Sequence, residues 1–294
     1  MRYFFGIYGY EITRPLSLNG LYLTPRVTPP NDARKLATSR SEFNLTGIGE
    51  ITSSGRASLP ESQRDILFDL AAALTFCQQQ WVIVSRIISH PDNVDPQRVL
   101  QSFPDQLDVR QERPSPGAVL ISDFFDPDAR CRFLDLCLDK LRDNQFEEAT
   151  YFRKAFYRNV EIWRFNRQLL DVTYYMIFSA LEILARRHSG DYTSSIAQVL
   201  TPFLRDECRF SVEQDKPSVR ERSVQTYVHL RNALFHNGEF EVTFNENGYQ
   251  ITLKLMDYFD KLERLLSDVL LRVLGYNDPH INWNRWLDRM PFGS

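Results

Sequence analysis

The sequence has no paired cysteine spacing. Cys77, Cys131, Cys137 and Cys208 form no C-x-x-C, and no histidine stands at ligand spacing from any of them. That argues against structural zinc and leaves free thiols in a packed interior as the expectation. An excess of positive charge is also missing: 35 Lys and Arg stand against 38 Asp and Glu, a formal net charge of -3. Any phosphate-binding surface therefore has to be local. There is no cleavable signal region and no uninterrupted apolar run of bilayer length, so a reduced, soluble, cytoplasmic protein with no membrane partner is expected. Neither a phosphate loop nor a glycine fingerprint occurs in the N-terminal region, which leaves nucleotide hydrolysis and a dinucleotide site without support. No cofactor and no metal are expected, and neither an internal repeat nor a low-complexity tract is visible.

What is present fits a globular chain of two domains. With 294 residues, 43% hydrophobic and 25% charged, it can bury one large core or two modest ones. Tyr3 to Ile12 is aromatic and β-branched and reads as a strand ended by Arg14-Pro15. The proline-containing stretch from Thr24 to Ser41 reads as loop, and Phe43 to Thr52 alternates as a half-exposed strand. Ile66, Leu67, Leu70, Ala71 and Leu74 repeat at helical spacing in a segment opened by Pro60-Glu61. Trp81 to Ser89 has strand length, and the polar, proline-dotted segment from His90 to Gly117 reads as linker with room for a short helical turn.

Beyond Ala118 the periodicity becomes helical. Helices are expected at Arg130 to Arg142 after the start signal Asp126-Pro127-Asp128, and at Phe146 to Arg187 as two pieces or one bent one. Further helices are expected at Thr193 to Phe203, Val219 to Asn237 and Leu255 to Leu274. Phe240 to Phe244 and Tyr249 to Leu253, joined through Asn245 to Gly248, read as a β-hairpin. The fold class is α+β: an N-terminal α+β sensing or regulatory domain over 1-103, a linker over 104-117, and a helical bundle with one hairpin over 118-294.

One helix draws attention, Tyr227-Val-His-Leu-Arg231-Asn232-Ala-Leu-Phe-His236-Asn-Gly238. Asn237-Gly238 is its stop signal. On an α-helical wheel Val224, Tyr227, Val228, Leu234 and Phe235 form an apolar stripe with Arg231 in its middle. Asn232 and His236 fall on another face, roughly 100° and 140° around at about 100° per residue. Glu182 is the one charged side chain in the apolar run from Tyr174 to Ala185, and a pairing with Arg231 satisfies both outliers. The same pairing also suits a purely structural bundle.

Arg231-Asn232-x-x-x-His236, placed late in a helical region behind the Ala180-Leu-Glu-Ile helix, resembles the HEPN superfamily. Ribonuclease members of that family carry an Arg, a polar residue after it and a His some residues on. The resemblance covers about Ala118 to Leu274. It implies a metal-independent endoribonuclease in which His236 is the general acid or base and Arg231 holds the scissile phosphate, with Asn232 and Glu182 in support. It further implies a homodimer with the site in a shared cleft, products ending in a cyclic phosphate and a 5′-hydroxyl, and a setting among toxins and anti-phage defence proteins. The chemistry suits these side chains, since imidazole titrates near neutrality and a planar guanidinium grips a phosphate bidentately. The wheel adds its own argument for a dimer, because two groups on separate faces meet one phosphate most easily when a second copy completes the cleft.

Plainer readings stand beside these. Arg231 can snorkel from the apolar face, and His236 can answer the helix dipole. Asn232 either binds substrate or orients His236. His229 reads as a surface histidine, and His188 and His280 have no motif around them. Arg153, Lys154, Arg158, Arg164, Arg167, Arg186 and Arg187 form either a solvated face or an RNA path with Tyr157 and Trp163 for stacking. Trp283-Asn-Arg-Trp286 reads as an aromatic tail. The main alternative function is a non-catalytic HEPN-like dimerisation or RNA-binding module, and the N-terminal domain is the place for a regulatory partner or ligand. Transfer of a nucleotide to a partner lacks its Gly-Ser and paired-Asp pattern.

Overall fold

The computed structural model describes residues 1–18, 20–27, 29–51, 61–109, 112–113, 119–120, 126, 128–165, 169–278 and 281. The chain is mixed α+β and forms two compact units, one built on Met1–Arg142 and the other on Asp143–Ile162 and 169–277. Among the described residues no helix is long and apolar enough to cross a membrane.

The first unit is organised on β1 (Arg2–Tyr8), whose alternating aromatics face both sides: Phe4 and Phe5 are both buried. The chain continues through β2 (Leu16–Leu18), β3 (Leu21–Pro25) and helix α1 (Pro30–Ala37) to β4 (Phe43–Ile51). These strands give the antiparallel order β2-β3-β4-β1. Phe5 pairs with Gly49 across β1 and β4, and a Cβ there would lie 2.0 Å from the Phe5 ring, so only glycine lets the ring lie flat over the neighbouring strand.

The expected loop from Thr24 to Ser41 is corrected here. Thr24 and Pro25 close β3, and Pro30 begins α1, where a missing N–H costs nothing and the fixed φ suits a first turn. Tyr10 and Ile12 lie beyond the end of β1 but remain buried.

Helix α2 (Glu61–Gln78) buries Leu67, Leu70, Ala72, Ala73, Leu74, Phe76 and Cys77, so it is apolar most of the way round. The Trp81 to Ser89 run divides into β5 (Ile83–Val84) and β6 (Ile88–His90), both against β1. The break falls where Ser85 Oγ accepts the Gly6 N–H at 2.8 Å. Segment 90–117, read from sequence as mostly linker, contains α3 (Pro96–Leu100) and β7 (Gln106–Leu107), which pairs with β4. It contributes Val99 and Phe103 to the core formed with Phe4, Tyr8, Phe43 and Leu45. Helix α4 (Ala129–Arg142) packs on α2 and places buried Arg130 Nη1 3.3 Å from Glu11 Oε2.

Arg113 closes this unit. Its Nε donates to Trp81 O, Nη1 to Ala37 O and Ser39 O, and Nη2 to Gly9 O, at 2.6 to 3.1 Å, and Phe43 lies beneath the guanidinium. Burial lowers the guanidinium from its usual range to about 10, which keeps it charged at neutral pH. Gly9 has φ +79 and faces Arg113 so closely that a Cβ would lie 2.6 Å from Nη2.

The second unit begins with α5 (Asn144–Thr150), capped by Asp143 and ended by Tyr151 at φ 57, followed by α6 (Phe152–Arg164) and α7 (Leu170–Ser189). The long helical region is thus three helices, and the left-handed residue at Tyr151 turns the chain between the first two. Helix α8 (Ile196–Pro202) opens with a Ser195/Gln198 capping box. Helix α9 (Val224–Asn232) is followed by strands β8 (Glu241–Glu246) and β9 (Tyr249–Lys254) and by α10 (Leu255–Leu274). Asn247 and Gly248 both have positive φ, as the two-residue hairpin turn requires. Buried Tyr174, Ile177, Phe178, Leu181 and Leu184 seat α7 among α8, α9 and α10. All four cysteines are free, and Cys131 alone of them is not fully buried. Asp126 and Asp128 are described whereas Pro127 between them is not; His280, Arg167 and the Trp283 to Trp286 tail also lie outside the described residues.

Candidate functional site

Helix α9 buries Val224, Tyr227, Val228 and Leu230, and the buried Tyr174 hydroxyl ties it to α7 by donating to Tyr227 O at 2.9 Å. Burial pushes the Tyr174 phenol far above its usual range, so it stays a neutral donor. This locks the α7 and α9 faces carrying Glu182 and Arg231 in register.

Arg231 reaches the edge of the apolar stripe rather than its interior, with 25% of its side chain exposed. Its Nη2 lies 3.8 Å from Glu182 Oε2, its Nη1 donates to Asn232 Oδ1 at 3.0 Å, and Cζ stands 4.9 Å from the Phe235 ring centroid. The buried Nε has no hydrogen-bond partner among the described residues. Glu182 is shared: its Oε1 accepts from Arg186 Nε at 2.9 Å. The i,i+4 spacing of Glu182 and Arg186 was available in the sequence.

Beyond Asn232 the helix widens. Ala233–Asn237 is a π turn ended by Gly238 at φ 72, and the Gly238 N–H reaches Ala233 O five residues back. The α-helical wheel therefore misplaces the end of the motif. The segment departs from 100° per residue, so the roughly 140° separation of Arg231 and His236 on an α-helical wheel does not carry over to it. The same widening leaves Phe235 half-buried instead of on the core stripe, with its ring 5.1 Å from exposed Tyr175. His236 and Asn232 are exposed. Nothing in the residue types of 233–237 announces a π turn.

The side chains at this edge can grip an anion and exchange a proton. Arg231 has donor capacity left, Asn232 holds one arm of it, and His236 stands open to solvent within the next turn. Because Glu182 and its two arginine partners keep access to water, Glu182→Gln is expected to change stability by less than about 1 kcal/mol. Urea unfolding of the variant checks this.

His229 differs from its sequence reading. It is half-buried under the hairpin, stacked on Phe244 at 4.7 Å and 22°, with Gln225 Nε2 3.4 Å away. Burial lowers its pKa from 6.5, so the unfolded chain binds the proton more readily. The stabilisation is present above the ordinary imidazole value and declines as pH falls through the folded one. Protection factors of the β8 and β9 amides, which remove the pH dependence of intrinsic exchange, are expected to fall on acidification, and His229→Phe is expected to remove that dependence.

Of the basic residues, Arg186 is engaged by Glu182 and by Asp191 O and Ser194 O, and Trp163 is buried, which leaves it no open face for stacking. His188 lies 3.8 Å from Glu207 and packs on Phe203. Comparison of the chain with models of protein families, with curated proteins and with solved structures gives no match.

Proposed function

We propose that the second unit is a HEPN-like domain and that the protein is a metal-independent endoribonuclease. The reading rests on the motif's resemblance, and the observation that carries it is the widened end of α9. There an exposed His236 follows Arg231, which is braced by Glu182, Asn232 and Phe235 and still has an unused buried donor.

In the reaction a ribose 2′-oxygen forms a bond to the adjacent phosphorus, and the bond from phosphorus to the 5′-oxygen breaks. One group accepts the 2′-hydroxyl proton, a second gives a proton to the departing 5′-oxygen, and a cation steadies the charge gathering on the phosphoryl oxygens. Arg231 supplies the cation. Each chain brings one motif imidazole, so a second copy related by a two-fold axis supplies the other proton-transfer group. Exposed Leu169, at the N-cap of α7, and Val172 on α7 give such a copy apolar surface to cover. This argument for a homodimer replaces the one from the α-helical wheel, which the π turn weakens.

By analogy alone the biological setting is a toxin or anti-phage defence system in the cytoplasm, with the first unit sensing a partner or ligand. The deciding experiment incubates purified full-length protein with total RNA in chelator, wild type beside His236→Ala, with sedimentation to read the oligomeric state. Cleavage to cyclic-phosphate ends by wild type alone supports the reading. Equal cleavage by both proteins overturns the role of His236. RNA binding without cleavage by wild type leaves the non-catalytic RNA-binding module as the function.

A further inference from the structure

The solvent ridge of α7 carries Val172, Tyr175, Ser179, Glu182 and Arg186 at successive helical returns. Two of its features are not used by the cleavage chemistry. Tyr175 is 53% exposed and its ring meets Phe235, which itself lies under the Arg231 guanidinium, so a ladder of aromatic and cationic planes leads out from the motif. On the side of α5 and α6 stand three cations. Arg158 donates to Ser179 O, Arg187 donates to Glu148 O, and Lys154 and Arg187 both lie over the Tyr151 ring, at 3.7 and 4.9 Å.

Arg158, Lys154 and Arg187 have no carboxylate partner among the described residues. In a chain of net charge -3, three cations without a carboxylate partner on the α5 and α6 side of α7 suit an anionic partner with spaced charges. From Tyr175 to Arg187 helix α7 rises about 18 Å at 1.5 Å per residue, with Arg187 roughly 120° round from Tyr175 on the side of α5 and α6, a path long enough for several phosphates.

We propose that the surface running from Tyr175 on this ridge across to the cations beside α5 and α6 is the bed for a single RNA strand leaving the cleft. A base next to the scissile phosphate stacks on Tyr175 and Phe235, and Arg158, Lys154 and Arg187 hold the phosphates that follow, with Tyr151 keeping the last two cations in place. The proposal rests on the ribonuclease reading for the identity of the strand. It names the substrate class as unpaired RNA, because a base already stacked inside a duplex offers no free face to Tyr175. Charge on the ridge acts without regard to sequence, and the aromatic pair tolerates any base.

The test measures fluorescence anisotropy of a labelled single-stranded RNA against full-length His236→Ala, which leaves the probe intact, over a series of salt concentrations. Tyr175→Ala in that background is expected to weaken binding roughly 5- to 100-fold. The triple variant Lys154→Gln, Arg158→Gln, Arg187→Gln is expected to flatten the plot of log affinity against log salt by about 2, at about 0.7 per phosphate contact on a single strand. Exposed Lys154→Gln alone, which carries little folding risk, is expected to flatten it by about 0.7. Unchanged affinity and slope in these variants, or equal binding of a duplex of the same sequence, overturns the strand path. Cleavage by the wild type is read separately. Loss of binding in the ridge variants with no wild-type cleavage keeps the path and overturns the ribonuclease, whereas wild-type cleavage with unaffected binding does the reverse.

Discussion

His236→Ala is expected to lower RNA cleavage roughly 10²- to 10⁴-fold, the usual contribution of a positioned acid or base. The fold is expected to be untouched, within about 0.5 kcal/mol by urea unfolding, as for surface changes away from buried features. The separation of the two effects is the point of the experiment. His236 is exposed, and the residues that hold the turn are its neighbours: Ala233 and Leu234 are buried, and their carbonyls accept the Gly238 N–H. A purely structural helix-end histidine would show the opposite pattern, a small loss of stability and no change in cleavage. RNA binding by anisotropy is expected to persist, since Arg231 and the ridge of α7 remain.

Arg113→Ala is expected to destabilise the first unit by about 3–5 kcal/mol, a large share of the roughly 5–15 kcal/mol that holds a domain folded. Four carbonyl oxygens, from Gly9, Ala37, Ser39 and Trp81, lose the Arg113 donor together. Gly9 O and Ala37 O keep Gln78 Nε2 as a donor, at 2.8 and 3.4 Å. The acceptors left stranded are those of Ser39 and Trp81, at about 1–3 kcal/mol each, and the emptied space adds to the loss while water entering it returns part. The methylenes and the guanidinium face over Phe43 are lost as well. Arg113→Lys is not conservative here, because one compact ammonium cannot span four acceptors arranged around a planar fork. Urea unfolding followed by tryptophan fluorescence reads the loss as a fall in midpoint, and an Arg113→Ala midpoint equal to wild type would show that the carbonyls find other partners.

What could be read in advance follows the range of the forces involved. Strand β4, helices α2 and α10, the Asn247-Gly248 hairpin turn and the stop at Gly238 were legible because each rests on a period or a backbone preference contained within a few residues. Helix α1 was missed on the same local logic, since its prolines mark a helix start as readily as a loop. The identities of Arg231, Asn232, Glu182 and His236 were also visible, as residues out of place in their surroundings. Their arrangement was not. The Arg113 clasp joins segments far apart in the chain, and a buried arginine held by backbone carbonyls gives no sequence signal.

By itself, then, the sequence determined the α+β class, most of the helices and the candidate chemical groups, because propensity and periodicity are local. Tertiary structure alone decided how those groups meet. A π turn at Ala233–Asn237 ends the motif helix, packing pairs Tyr175 with Phe235, and Arg158 reaches from α6 to Ser179 O on α7. Each depends on where one helix rests against another, and that is set by the burial of the whole core rather than by any residue's own preference.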